Sequence, residues 1–114
     1  MSNATLTELR SGIETARQTL AVAAWCAMWS TAEPQIQQAR DELATALALV
    51  LMIPDPDDEI EVLATAGNVA LQVLLACIDT AAQYLASCEA PTVACRRLVT
   101  EALTTLGEAL DHQE

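Results

Sequence analysis

With 114 residues the chain is sized for one domain, and its 53% apolar content argues against disorder. The absence of Phe, with only 3 Gly and 4 Pro, leaves too few turn-formers for a sandwich or barrel. Sixteen acids against five arginines and no lysine give a net charge of −11. This argues against nucleic acid or an anionic membrane surface as a direct partner, and it removes any phosphate-binding or Schiff-base lysine.

Apolar periodicity is helical along the whole chain. A first helix is expected over about 5–30, with Leu6, Leu9, Ile13, Ala16, Leu20, Ala24 and Ala27 on one face and Thr5 with Glu8 as a capping box. Ala32-Glu33-Pro34 then breaks the chain, and Pro34 suits the first turn of a second helix over 33–52. That helix carries Ile36, Ala39, Leu43, Ala46, Leu47 and Val50 as its stripe and becomes apolar on every side in its last turns. Pro54-Asp55-Pro56-Asp57-Asp58 is the one clear loop, because proline lacks an amide donor and restricts the residue before it. Asp57 or Asp58 is expected to cap a third helix over 57–87, with Glu59 and Glu61 at its positive end. The polar stripe of this third helix is narrow, which predicts neighbours on more than one side. A fourth helix is expected over 91–111, presenting Cys95, Val99, Ala102, Leu103, Leu106 and Leu110.

The expected fold is therefore all-α, a single domain over 1–114 built as a four-helix arrangement of two antiparallel helical hairpins. Each half repeats the plan of long helix, proline break and shorter helix. Glu33-Pro34-Gln35-Ile36 parallels Ala90-Pro91-Thr92-Val93, with Arg40 and Arg97 in the same register.

Few residues fit a chemical site. Cys26, Cys77, Cys88 and Cys95 form no C-x-x-C pair and match no zinc module, and the one histidine, His112, is near the C-terminus. Three of the cysteines fall on apolar faces as small hydrophobes. Cys88 and Cys95 flank the Ala90-Pro91 turn closely enough to approach each other. The acids from Asp55 to Glu61 alternate as in a calcium loop but lack its central Gly and its bidentate Glu, so a loop with a helix cap explains them better. No metal, no cofactor and no catalytic residues are expected. The longest unbroken apolar run, Leu20 to Trp29, is too short to span a bilayer, and Glu8 and Glu14 occupy what would be the basic part of a signal peptide. A cytoplasmic location is expected.

The tryptophans carry more information. On a helix continued through residue 30, Val22, Trp25 and Trp29 lie nearly opposite the Leu6–Leu20 stripe, with Cys26 beside them. Such a cluster is either the inner end of a bundle or an interface, where Trp is over-represented. Together with Leu51, Met52 and Ile53 it offers more apolar surface than a monomer of this size hides easily, so a homodimer or a protein partner is expected. An antiparallel hairpin sets the two groups about 25–30 Å apart. They would form one elongated strip or two separate contacts, one for self-association and one for a partner.

The Trp25-Cys26-Ala27-Met28-Trp29 segment, the Ile53-Pro54-Asp55-Pro56-Asp57-Asp58 loop and the Arg96-Arg97-Leu98-Val99 start of the fourth helix resemble the small quorum-sensing antiactivators of the QslA type. The resemblance implies a cytoplasmic, non-enzymatic protein that binds a LuxR-type transcription regulator and blocks its dimerisation or DNA binding. It supplies no catalytic residues. The alternatives are a small helical metal-binding or enzymatic bundle using the acids and cysteines, or a chaperone for a secreted effector.

Overall fold

The computed structural model describes residues 2–112, and these form four helices: α1 (Ser2–Trp25), α2 (Trp29–Leu51), α3 (Asp58–Ala86) and α4 (Thr92–His112). Helices α1 and α2 pair as one hairpin and α3 and α4 as another, and the hairpins pack with α1 on α4 and α2 on α3. The antiparallel sense shows in the cross-contacts. Gly12 faces Ala46, the Thr19 hydroxyl donates to the Glu42 carboxylate at 2.8 Å, and Cys77 faces Cys95. The bundle measures 51 × 24 × 17 Å. Its long axis separates two ends. One holds the α2–α3 loop and the start of α1; the other holds the α1–α2 and α3–α4 turns.

Most of the expected stripes are the buried ones. Leu9, Ile13, Ala16 and Leu20 of α1 meet Ile36, Ala39 and Leu43 of α2, Leu63, Ala70 and Leu74 of α3, and Val99, Ala102 and Leu106 of α4 in one core. No polar or charged side chain is buried among the described residues. The stripes end early at two places. Ala27 lies beyond α1 and is exposed, and Leu85 near the end of α3 is exposed. Helix α3 is long and apolar enough to cross a membrane, yet 44% of its most apolar window is packed inside the bundle, as suits the central helix of a compact fold.

The first break is not where Pro34 places it. Helix α1 ends at Trp25 and α2 begins at Trp29, so Pro34 is the sixth residue of α2 rather than its start. An earlier start brings Trp29 and Ala32 into line with Ile36, Ala39 and Leu43 on the buried face. The cost is one helical hydrogen bond, since Pro34 cannot donate to the Ser30 carbonyl. Both residues are exposed, which leaves that carbonyl to water. Thr5 is no cap either, because α1 is already helical from Ser2. The apparent repeat fails for the same reason, since Pro91 directly precedes α4 while Pro34 sits inside α2.

The second and third breaks follow their local signals. The Asp57 carboxylate accepts the Ile60 amide at 3.0 Å, with Asp58, Glu59 and Glu61 in the first turn of α3. At its other end α3 closes in a Schellman turn: the Glu89 amide donates to the Tyr84 carbonyl and the Cys88 amide to the Leu85 carbonyl. Cys88 holds the left-handed position, φ 59°, that glycine usually fills.

Glycine is required at one contact. A Cβ on Gly12 would lie 2.7 Å from the Ala46 Cβ, an atom that cannot rotate away, whereas a Cβ on Gly107 would meet nothing within 4 Å. Gly12→Val is therefore expected to destabilise the protein by about 1–3 kcal/mol through overpacking. Gly107→Ala is expected to stabilise it by about 0.5–1 kcal/mol through helix propensity. Urea unfolding of the two variants checks both signs.

Candidate interaction surface

Val22 and Trp25 stand three residues apart on the outer face of α1, away from Leu9, Ile13, Ala16 and Leu20. The helix stops at Trp25, where the Cys26 amide donates to the Ala23 carbonyl and the Cys26 thiol to the Val22 carbonyl. Arg96 reaches over from α4 and donates from its Nη2 to the Cys26 carbonyl at 3.1 Å, which satisfies one of the free acceptors of the helix end. The turn is thereby fastened to the second hairpin. Trp25 is left 88% exposed, with Val22 at 53% and Met28 at 63%.

Trp29 does not belong to this surface. The three-residue turn resets the helical phase, and the Trp29 side chain is buried against the core. Its indole Nε1 is buried without a protein acceptor, at a cost of about 1–3 kcal/mol. The expected trio of Val22, Trp25 and Trp29 thus divides into two surface residues and one core residue. Met28 replaces Trp29 on the surface, and only the position of the break reveals it. The same end exposes Tyr84, Leu85 and Val93 around the α3–α4 turn, where every residue from Ala82 to Ala90 is exposed. These three residues have no place on any expected site.

Leu51 and Met52 lie at the opposite end and are exposed, while Ile53 is half-buried and packs on the core. The Met52–Asp57 loop faces Thr5 at the start of α1. The surface between α1 and α2 combines Gly12, Ala46 and Leu49 with Glu8, Thr15, Gln38, Asp41, Glu42 and Thr45. The two groups are separate patches.

A third feature lies between α3 and α4. A shallow groove of about 710 Å³ has Val62, Ala66, Val69 and Ala109 along its floor and Asp58, Glu61 and Glu108 on its rim.

The cysteines form a different pair from the one their spacing implies. Cys88 is exposed in the Schellman turn, whereas Cys95 is buried and faces Cys77 across α3 and α4. Each of these two thiols donates to the other's carbonyl at 3.6 Å. Burial pushes the Cys77 thiol up to about 12, with the field of Cys95 adding to the rise, and burial also raises Cys95. All four thiols are free. Among the described residues, no three His, Cys, Asp or Glu side chains are grouped to hold a metal ion. The side chain of His112 lies outside the described residues.

Compared with known protein families, curated proteins and solved structures, the chain matches none.

The two tryptophans have opposite expected fates. Trp25→Ala is expected to change the stability of the monomer fold by less than about 0.5 kcal/mol. Trp29→Ala is expected to cost about 3–5 kcal/mol, and Trp29→Phe to recover most of that loss because it also deletes the unpaired N–H. Thermal and urea unfolding measure all three.

Alkaline pH tests the thiol pair. The folded chain keeps a proton on Cys77 from its ordinary value of 9.0 up to about 12, while the unfolded chain releases it. Stability is therefore complete below the lower value and falls as pH rises through this window. A series of melting curves should show that decline, and Cys77→Ala should flatten it.

Proposed function

We propose that this chain is a non-enzymatic, cytoplasmic protein-binding inhibitor that masks a surface of a transcription regulator, in the manner of the quorum-sensing antiactivators it resembles. One observation carries the proposal. With its core filled, the molecule still presents large apolar side chains at both ends, with Trp25 and Leu51 each 88% exposed. Tryptophan is enriched at the energetic centre of protein interfaces, and exposed apolar patches mark interaction surfaces.

Charge supports a division of labour between the ends. Two copies of a chain carrying −11 repel each other, most strongly at the end where Leu51–Ile53 runs straight into Asp55, Asp57, Asp58 and Glu59. The Trp25 end has Arg96 fastened beside it and Arg97 next in sequence. Self-association as a homodimer is therefore assigned to Val22, Trp25 and Met28. The regulator, expected to be of the LuxR type, is assigned to Leu51 and Met52.

Co-purification with LuxR-type regulators of the source cell, combined with light scattering and a DNA mobility-shift assay, tests this. The wild-type chain is expected to be dimeric and to abolish the shift of one regulator at stoichiometric ratio. Trp25→Ala should yield a folded monomer. Leu51→Ser with Met52→Ser should weaken the regulator complex by about 30-fold or more, the scale of a lost hot spot. A chain that leaves DNA binding of every such regulator intact overturns the proposal.

A further inference from the structure

We infer that the groove between α3 and α4 receives a cationic amphipathic helix of a partner protein. The inference deepens the proposed function and rests on it, adding to the regulator contact at Leu51 and Met52 a second one, made by a Lys/Arg-flanked helix of the same partner.

The groove follows α3 from Asp58 to Val69, about 16 Å at the helical rise, which is some three turns of a docked helix. Its floor is apolar. Val62 and Val69, seven residues apart on one face of α3, are 39% and 47% exposed, whereas Leu63 and Leu74 on the core-facing side of the same helix are fully buried. An apolar stripe repeating at i, i+3 or i+4 and i+7 would cover them as helix-in-groove complexes do. The rim selects the sign of the occupant. Asp58, Glu61 and Glu108 stand along both walls, and none has an ion-pair partner in the structure. The only ion pairs among the described residues, Glu14 with Arg17 and Asp41 with Arg40, lie on α1 and α2.

A second copy of this chain is a poor occupant. It brings another −11 and no lysine, and two of its five arginines are already paired. An acidic helix or a nucleic acid would be repelled by the rim. A helix with an apolar face and flanking Lys or Arg meets both the floor and the walls.

The probe is a synthetic Leu/Lys peptide about 18 residues long, with leucines on one helical face. Its control is a peptide of the same composition scrambled to abolish that face. Binding to the full chain is read by fluorescence anisotropy at near-physiological salt, where diffuse attraction is screened. The amphipathic peptide is expected to bind one per chain, and the scrambled peptide about tenfold more weakly. Glu61→Gln with Glu108→Gln should cost about tenfold, and so should Val62→Ser with Val69→Ser, with melting temperatures confirming that both variants fold. Glu33→Gln with Asp79→Asn removes the same charge away from the groove and should change affinity by less than about twofold.

Equal losses in the two charge variants, or equal binding of the two peptides, would reduce the effect to net charge and overturn the inference. So would a change of oligomeric state in the Val62/Val69 variant, which would give the groove to a second copy. The outcome is separable from that of the proposed function. A regulator complex that forms while the peptide fails leaves the function standing without the groove. Groove-specific peptide binding without any regulator complex leaves the groove standing without that function.

Discussion

The structure depends on how closely α1 and α2 approach each other. At Gly12 and Ala46 there is no space for one further carbon atom. Throughout the core, alanines alternate with leucines and isoleucines, and no phenylalanine is available to fill a wider gap. With so little side-chain volume, helices reach native packing density only by bringing their backbones together. That requirement explains the position of the first turn. The chain accepts a proline in the second turn of α2, with one helical hydrogen bond lost, because an earlier start lays Trp29, Ala32 and Ile36 along the same buried face. A proline inside a helix costs about 3 kcal/mol, through the lost donor and the clash of its ring with the carbonyl one turn back. Burying a large aromatic side chain and aligning a whole helix outweighs it.

Close packing of small residues also decides what remains outside. Long apolar side chains that the alanine-lined core cannot accommodate emerge at the ends of the hairpins, as Trp25, Met28, Leu51 and Met52 do. Their surroundings differ. The α2–α3 loop and the first turn of α3 concentrate carboxylates, where they serve the helix dipole and cap. The turn after α1 is instead fastened by an arginine. A molecule with uniform excess acid would present the same face to every partner. This one couples its exposed apolar side chains to two different local fields.

The buried thiols show the same economy. Cys77 and Cys95 occupy alanine-sized positions where α3 and α4 cross, and each satisfies its weak donor on the opposite backbone. Raised pKa values follow from that burial and make both sulfurs poor nucleophiles at neutral pH. Cys88 is exposed because its backbone, rather than its side chain, closes the α3 Schellman turn.

The sequence by itself determined the number of helices, most of the core and the two later breaks. Apolar periodicity is a property of the local chain, and Pro54, Pro56 and Asp57 act within a few residues of themselves. The exposure of Leu51 and Met52 was also legible, because an all-round-apolar helix end that runs into a charged loop has little left to pack against. Only the tertiary structure decided the phase of the first turn, and with it the division of Val22 and Trp25 from Trp29. That phase is set by α1–α2 packing across more than thirty residues of sequence, as the Gly12–Ala46 contact shows. It alone also placed Cys95 against Cys77, exposed Tyr84, Leu85 and Val93, and opened the groove at Val62 and Val69. Each of these is a contact made or missed between helices distant along the chain, and a periodic stripe states that a face is apolar without stating what covers it.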